Sequence, residues 1–273
     1  MLTKIDVKNN RGISTTLFFD NPYTGLILEA IDGLDPVDAA ITSSGLGTMD
    51  GEQYQSSRRG RRNIIFKFDV MAHYAQKSTK ALRKELYAIF MPKTDVHFVF
   101  HFDDDESLEI SGRVESFIFP LFVKEPKATI SIICFDPDFK SITPTLITGN
   151  TVVNNEELLI DYDGSVETGF IFRLPVIAPL SKVSIQQIAP DNSMNRLEFD
   201  TPLVAGDTLH ISTISGAKSA NRLNGENSNS VLYGVSTQAD WLKLSEGPNR
   251  LRVYAEGAVL PFTIEYHNRY GGL

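Results

Sequence analysis

Short stretches in which apolar and polar residues alternate follow one another along most of this chain, and they constrain its fold more than any other feature. In residues 64–70 every second position is a large apolar residue, and residues 96–102 and 128–135 repeat the pattern. Because side chains of a β-strand point alternately to opposite faces, each stretch predicts a strand with one buried face. Residues 2–8 and 12–19, joined by an Asn- and Gly-rich turn, predict an opening hairpin. The sequence therefore predicts a mainly β protein.

One stretch between Ser78 and Pro92 has the period of a helix instead. Its apolar residues recur at i, i+4, i+7 and i+8 and are Leu82, Leu86, Ile89 and Phe90. Ser78 is a suitable N-cap, and Pro92 prevents the helix from continuing. We expect a single helix that packs its apolar stripe on the sheet.

The β pattern is interrupted between residues 136 and 150, and we place a domain boundary there. A chain of 273 residues agrees with two domains, predicted as residues 1–145 and 146–273. After the boundary, strand-like stretches recur at intervals of about 8–12 residues without a helix between them. This spacing predicts a β-sandwich for the second domain.

Residues 33–62 differ from the rest of the first domain, because they are rich in Gly, Ser and Asp and poor in large apolar residues. Long segments of this composition are uncommon in compact domains and usually have a function. We interpret the segment as a long loop or an extended arm. It ends in the densest positive charge of the chain, which consists of Arg58, Arg59, Arg61 and Arg62.

The arginine run permits two interpretations, a phosphate-binding patch or an arm that docks on an acidic protein surface. The net charge of −8 and the absence of aromatic residues within the run favour the protein surface. The same acidic balance argues against binding to nucleic acid or to an anionic membrane.

Patterns that carry catalysis or bind metals are not recognisable in the sequence. His97 and His101 would lie roughly 13 Å apart on a strand, too far to share a metal ion. The acidic turn at 103–106 lacks the ligand spacing of a calcium-binding EF-hand loop. We therefore expect no enzymatic activity, no cofactor and no metal. Cys134, the single cysteine, lies among apolar residues and is expected to be buried and inert.

The N-terminal residues lack the apolar stretch of a signal peptide, and no stretch reaches the ~20 apolar residues of a membrane span. We expect the protein to be made and folded in the cytoplasm.

Trp241, the single tryptophan, lies between apolar residues in the second domain. Its sequence context favours a core position. The alternative is an exposed ring on which a sugar stacks, with Tyr233 as a second candidate contact.

Three groups of residues resemble the distal tail protein family of siphophages. They are Gly51–Phe66; Met91–Lys93 with Lys127–Phe139; and Ala205–Thr213, Arg222–Gly225, Leu242–Asn249 and Tyr266–Leu273. Each motif is weak alone, whereas their order and spacing together are specific. In one departure, Asp138 separates Pro137 from Phe139, where the family often has an aromatic residue directly after Asp-Pro.

The resemblance implies a structural component of the virion at the distal end of the tail. The N-terminal domains would form a hexameric ring through which DNA passes without specific binding. The C-terminal domain would be a galectin-like β-sandwich. The ring would join the tail tube protein to the tail hub and the receptor-binding proteins.

Within that expectation, the 33–62 segment is predicted to reach a neighbouring subunit or the tail tube. Its candidate contact residues are Gly51, Arg58, Arg59, Arg61 and Arg62. The alternative function is a carbohydrate-recognition module that binds a host-surface saccharide through Trp241 or Tyr233.

Overall fold

The computed structural model describes the chain except for residues 20, 46, 49, 121–122, 153–156 and 257, and except for the side chains of residues 22 and 74. The described residues divide into two compact units, 1–142 with 271–273 and 143–270. We call these units the N-terminal and C-terminal domains. The second unit begins at 143, whereas the sequence predicts a start at 146.

The N-terminal domain is built on an antiparallel sheet. The strands of this domain are β1 Leu2–Asn9, β2 Ser14–Phe18, β3 Leu26–Asp32, β4 Ala39–Ser44, β5 Gln53–Arg59, β6 Arg62–Val70, β7 Asp95–Phe102, β8 Ser107–Ile118, β9 Lys127–Cys134 and β10 Phe139–Ser141. The main sheet has the strand order β2-β1-β7-β8-β9-β6-β3, and β10 pairs with the beginning of β8. The order leaves β2 and β3 at the two edges.

The helices are the single turn α1, Ala72–Ala75, and α2, Thr79–Phe90. A 3-10 turn spans Pro22–Thr24. The Ser78 side chain accepts a hydrogen bond from the backbone N–H of Ala81 at 3.2 Å, which confirms the predicted N-cap. The predicted apolar stripe of α2 is buried. Phe90 contributes to an aromatic core with Phe66 and Phe98, whose ring centroids lie 5.1 Å apart. The prediction of one packed helix is confirmed, with α1 as an additional single turn.

Cys134 ends β9 inside the N-terminal core. Its side chain is buried, and burial raises the pKa of the thiol to about 12. A thiol with this pKa stays protonated at neutral pH, so its predicted role as a packing residue is supported.

Strands β4 and β5 form a separate two-stranded sheet, which we call the arm, Ala39–Arg59. Every residue of the two strands is exposed except Ser44, which is half-buried. The sequence interpretation of an extended arm holds, but the interpretation as a loop is wrong, because the segment is paired. It was missed because neither face of the hairpin is buried, so its residues show no apolar alternation.

The C-terminal domain contains two antiparallel sheets that bury a common core. Its strands are β11 Thr145–Asn150, β12 Leu158–Tyr162, β13 Ile171–Pro175, β14 Leu180–Ile188, β15 Met194–Leu203, β16 Thr208–Ser212, β17 Ser219–Asn224, β18 Asn227–Ser230, β19 Gly247–Tyr254, β20 Pro261–Tyr266 and β21 Arg269–Tyr270. One sheet has the order β11-β20-β13-β16-β17-β18 and the other β12-β19-β14-β15. A 3-10 turn spans Leu232–Gly234. The predicted β-sandwich is confirmed.

The sandwich core is filled by alternate residues of both sheets. Phe172 of β13 and Phe262 of β20 pack with ring centroids 5.4 Å apart, and Phe199 of β15 is fully buried from the other sheet. Such alternation is the pattern that the spacing of the strand-like stretches predicted.

Candidate functional site

The root of the arm is fastened by Arg62, the first residue of β6. The Arg62 side chain is 1% exposed, and it donates four hydrogen bonds to main-chain carbonyl oxygens. The acceptors are Gly33 at 2.6 Å, Asp35 at 2.7 Å, Pro137 at 2.6 Å and Gly271 at 2.5 Å. The guanidinium also lies 4.5 Å from the centroid of the Phe139 ring, within cation–π distance.

This placement corrects the sequence interpretation of Arg62. Its fork of donors is used within the N-terminal domain, and its charge is covered by protein. Arg62 is therefore removed from the predicted set of contact residues and becomes the residue that holds the beginning of the arm segment to the rest of the domain. The sequence did not distinguish it from the other arginines of the run.

Arg59 forms a second fastening at the end of β5. Its guanidinium makes a two-pronged ion pair with Asp138, with 2.9 Å between Nη2 and Oδ2. The Asp138 side chain is 2% exposed, while that of Arg59 is 38% exposed. A two-pronged pair with a buried carboxylate fixes the direction of the arginine side chain.

Gly33 and the residues after 270 complete the root. Gly33 has φ +86°, and a Cβ at this position would lie 1.9 Å from the carbonyl oxygen of Asn63, so only glycine fits. The backbone N–H of Leu273 donates to the carbonyl oxygen of Leu34 at 3.1 Å. The root is thus assembled from three separate parts of the chain.

Arg58 and Arg61, by contrast, are exposed. Within the part of the chain that the structure describes, no side-chain hydrogen bond or ion pair joins either of them to another residue. Gly51 lies near the tip of the arm, exposed and with φ +88°, a backbone conformation that favours glycine. The predicted contact residues thus separate into two fastened arginines at the root and three positions open to solvent.

Trp241 lies half-buried at a small cleft of about 270 Å³ in the C-terminal domain, and it also packs against the sandwich core. Polar side chains of the cleft include Asp191, Asn195 and Asp240. The Lys218 ammonium lies 5.3 Å from the centroid of the Trp241 ring. The structure thus places Trp241 both at the core, as its context favours, and at a polar surface.

Tyr233 is 78% exposed in the 3-10 turn Leu232–Gly234 and is not among the residues that line the cleft at Trp241. The two predicted saccharide contacts therefore do not share one described cleft.

Asn249, whose side chain is fully buried, forms hydrogen bonds with the loop that follows Trp241. Asn249 Nδ2 donates to the carbonyl oxygens of Ser245 at 2.7 Å and Gly247 at 2.9 Å. Its Oδ1 accepts from the Ser245 backbone N–H at 3.2 Å and from Gln187 Nε2 at 3.1 Å. All the hydrogen-bonding groups of this amide are thus engaged, which fixes the loop.

A cross-strand ladder on the main sheet was not predicted. His101 Nε2 lies 2.8 Å from Asp6 Oδ2, and His101 Nδ1 lies 2.9 Å from Ser107 Oγ. Thr16 Oγ1 donates to Asp6 Oδ1 at 2.5 Å, so the ladder joins β2, β1, β7 and β8. Cross-strand pairs of this kind stabilise a sheet. Alternating polar residues give no signal of which partner lies opposite until the strand register is known.

Among the described residues, no group of three or more His, Cys, Asp or Glu side chains is placed to hold a metal ion. No helix in the same part of the chain is long and apolar enough to cross a membrane.

The fold and these surfaces define a class: a two-domain β protein with an exposed arm fastened at its root and a sandwich in the second domain. Residues 163–270 match the family model described as the siphovirus-type tail component, C-terminal domain. The predicted resemblance to the distal tail protein family is thus confirmed for these residues.

One solved structure extends the likeness in fold to nearly the whole chain. The crystal structure of SPP1 Dit, described as a paradigm of the hub adsorption apparatus in phages that infect Gram-positive bacteria, has a TM-score of 0.69. The match has 15% identity and covers 97% of this chain and 98% of that one, so it establishes a Dit-like fold. The phage P2 baseplate in its activated conformation with Ca matches with a TM-score of 0.46, 11% identity and coverage of 97% and 98%. No curated protein sequence matches this chain.

Proposed function

We propose that this chain is a structural component of the distal end of a phage tail, where six copies form a ring that joins the tail tube to the hub and the receptor-binding proteins. The observation that carries the proposal is the Dit-like fold over nearly the whole chain, together with the family match of residues 163–270. The tail tube protein, the hub protein and the receptor-binding proteins are the proposed partners, and the virion is the proposed location. DNA would pass through the ring without specific contacts.

Two features of the N-terminal domain support ring formation. The strands β2 and β3 stand at the two ends of the strand order of the main sheet, so each has one side that pairs with no described strand. Edges of this kind are usually covered in native assemblies, and a head-to-tail contact repeated around an axis closes into a ring. The arm supplies a segment that extends beyond the sheet.

Light scattering with negative-stain imaging of the purified protein tests the proposal. Six copies of the 30.4-kDa chain have a mass of 6 × 30.4, about 182 kDa. We expect a species near this mass and ring-shaped particles with a central hole. A species that stays at the mass of one chain at all soluble concentrations would contradict ring formation by the protein alone.

Saccharide recognition by the C-terminal domain is the second candidate, because Trp241 borders a cleft with Asp191, Asn195 and Asp240. An aromatic ring beside carboxylates and amides suits a polyhydroxylated ligand. The Lys218 ammonium lies over the Trp241 ring, so stacking of a sugar on that face requires Lys218 to move.

A glycan array probed with the full-length chain and with the Trp241→Ala and Lys218→Ala variants tests this second function. Saccharide recognition predicts that Trp241→Ala abolishes binding and that Lys218→Ala strengthens it. Tyr233→Ala is the matched aromatic control, because Tyr233 lies outside the cleft. Absence of binding by the unaltered chain would leave only the structural role.

A further inference from the structure

The cleft at Trp241 carries two carboxylates that no cation of the described chain neutralises. Asp191 lies in the tight turn between β14 and β15, and Asp240 directly precedes Trp241. Both residues are exposed, and neither forms an ion pair with a described residue. The third carboxylate of the cleft, Glu167, is paired with the Lys243 ammonium at 3.1 Å. The cleft therefore presents two uncompensated negative charges.

Backbone hydrogen bonds hold both carboxylates in place. The Ser193 backbone N–H donates to Asp191 Oδ1 at 2.9 Å, and hydrogen bonds from the side chain and the backbone of Ser193 hold the pKa of Asp191 below its ordinary value. Asp240 is joined twice to Arg196 of β15, because Asp240 Oδ2 accepts from the Arg196 backbone N–H at 3.3 Å and the Asp240 N–H donates to the Arg196 carbonyl oxygen at 2.8 Å. Both positions are thus fixed, and Asp191 stays ionised at neutral pH.

A buried acceptor beside the cleft lacks a donor. Gln187 is 1% exposed and lies opposite Asn195 in the register of β14 and β15, and opposite residues project to the same face of a sheet. Its Nε2 donates to the carbonyl oxygen of Lys243 at 2.6 Å and to Asn249 Oδ1 at 3.1 Å, whereas its Oε1 accepts no hydrogen bond from a described residue. Asn195 and Lys243 both line the cleft, so the unpaired oxygen lies next to it. Since buried acceptors are usually hydrogen-bonded, this oxygen favours a ligand that brings donors.

The ring of Trp241 already holds a cation on its face. The Lys218 ammonium lies 5.3 Å from the ring centroid. Tryptophan is the best aromatic partner for a cation, and a primary ammonium is attracted to the negative face of its ring. Lys218 is exposed and forms no ion pair with a described residue. The ring face is therefore suited to a primary ammonium, and Lys218 is the kind of group that a ligand would bring in its place.

We propose that this cleft binds a saccharide that carries a protonated primary amine, an N-unsubstituted hexosamine. The inference rests on the saccharide recognition proposed above as the second function, and it names the class of sugar. The sugar ring stacks on Trp241 in place of Lys218, and its ammonium is attracted by Asp191 and Asp240. An ammonium brings three donors and a positive charge, whereas an N-acetylated amine brings one donor and no charge. A neutral sugar would leave both carboxylates without a cation.

The fluorescence of Trp241, the single tryptophan, measures binding by the full-length chain. The two probes are the tetramer of chitosan, whose amines are free, and the tetramer of chitin, whose amines are acetylated. At about pH 6 the aspartates are ionised and the sugar amines are protonated. We expect the chitosan tetramer to bind about tenfold more tightly, since exposed ion pairs and a cation–π contact each contribute modestly. Added salt is expected to reduce this preference, because it screens exposed charges.

Two neutralising double variants assign the preference to the cleft. Asp191→Asn with Asp240→Asn keeps the oxygens that accept the backbone N–H groups and is expected to bring the two tetramers within about twofold of each other, with the affinity for the chitin tetramer unchanged. Asp163→Asn with Asp200→Asn removes the same charge at exposed positions that do not line the cleft, and should keep the preference. This control separates the cleft from the general attraction of a cationic sugar to a chain of net charge −8.

The outcomes separate the amine, the sugar and the cleft. Equal or tighter binding of the chitin tetramer would overturn the inference and leave saccharide recognition in place. A preference that persists in Asp191→Asn with Asp240→Asn would show that the amine binds elsewhere, which also overturns it. Cadaverine, a diamine without a sugar, is expected to bind more weakly than the chitosan tetramer, and equal binding would contradict a saccharide ligand. If neither tetramer binds, the inference is wrong, and the glycan array decides whether another saccharide is recognised.

Discussion

Each domain fastens a segment outside its core sheets with a buried polar side chain, but the two side chains differ in their chemistry. In the N-terminal domain Arg62 binds carbonyl oxygens at the root of the arm. In the C-terminal domain Asn249 holds the loop between Lys243 and β19 by donating and accepting. Both side chains are at most 1% exposed.

The choice of arginine or asparagine follows from the backbone groups that each segment offers for hydrogen bonding. At the root of the arm, carbonyl oxygens from distant parts of the chain converge, and only a donor with several N–H groups satisfies them. The Asn249 loop presents both N–H and C=O groups within a few residues, so a neutral amide suffices. Burial lowers the pKa of Arg62, yet arginine stays protonated in proteins, so the root contains a permanent charge. The carbonyl acceptors and the Phe139 ring lie against this charge.

Removal of Arg62 is expected to cause the largest loss of stability in either domain. Arg62→Met leaves four carbonyl oxygens without their donor, and we expect the free energy of unfolding of the N-terminal domain to fall by about 3–5 kcal/mol. Chemical denaturation followed by the helical circular dichroism signal measures it, because α1 and α2 both lie in this domain. The control is Arg61→Met at an exposed site, expected within about 0.5 kcal/mol of the unaltered chain. A loss below about 1 kcal/mol for Arg62→Met would show that the root is held without it.

Removal of Asn249 has the next largest effect. Asn249→Ala leaves the backbone groups of Ser245 and Gly247 without partners, and we expect the C-terminal domain to lose about 2 kcal/mol of unfolding free energy. The fluorescence of Trp241, the only tryptophan, reports this transition. Asn229→Ala, on the exposed strand β18, is the control and should leave the transition unchanged. An equal shift of the N-terminal transition would contradict the separation of the two fastenings.

Removal of the helix cap is expected to have a smaller effect on the free energy of unfolding. The effect should be confined to the N-terminal domain, because among the described residues α-helices occur only there. Ser78→Ala removes the hydrogen bond to the Ala81 backbone N–H, and we expect a loss of about 1 kcal/mol. Only the circular dichroism transition is expected to shift, while the Trp241 transition stays in place. Lys80→Ala, in the first turn and exposed, is the matched control. A shift of both transitions would indicate that the two domains unfold together.

The hydrogen bonds of Arg62 and Asn249 could not be predicted from the sequence, whereas most of the fold could. Period and spacing predicted the packed helix, the strands of the main sheet and the sandwich, because burial on one face leaves a repeating apolar signal, as in Leu82, Leu86 and Ile89 of α2. The strands of the arm left no such signal, since their residues are exposed on both faces.

Arg62 could not be separated from Arg58, Arg59 and Arg61 in the sequence. Its burial depends on Gly271, which lies 209 positions away, and on Pro137, 75 positions away. The same reason explains Trp241: its cleft combines residues from several strands and loops, so the tryptophan's neighbours in sequence do not reveal its polar side.

The smallest expected effect is an acid dependence of the N-terminal domain. Desolvation raises the pKa of Asp6, but hydrogen bonds from Thr16 and His101, with the charges of His101 and Lys4, outweigh it and leave the pKa below its ordinary value. The unfolded chain therefore binds a proton at Asp6 more readily than the folded one. The resulting stabilisation is present above the unfolded pKa of about 4 and is lost as the pH falls through the lower, folded pKa.

Because Asp6 is partly exposed, we expect less than about 1 kcal/mol from this group. Denaturation of the unaltered chain and of Asp6→Asn between neutral pH and strongly acidic pH measures it. The variant is expected to show a shallower loss of stability in acid, confined to the N-terminal transition. Glu106→Gln, in the exposed turn before β8, is the carboxylate control and should keep the slope of the unaltered chain. An unchanged slope in Asp6→Asn would mean that the ladder of Thr16, Asp6, His101 and Ser107 joins the strands without linking their stability to protons.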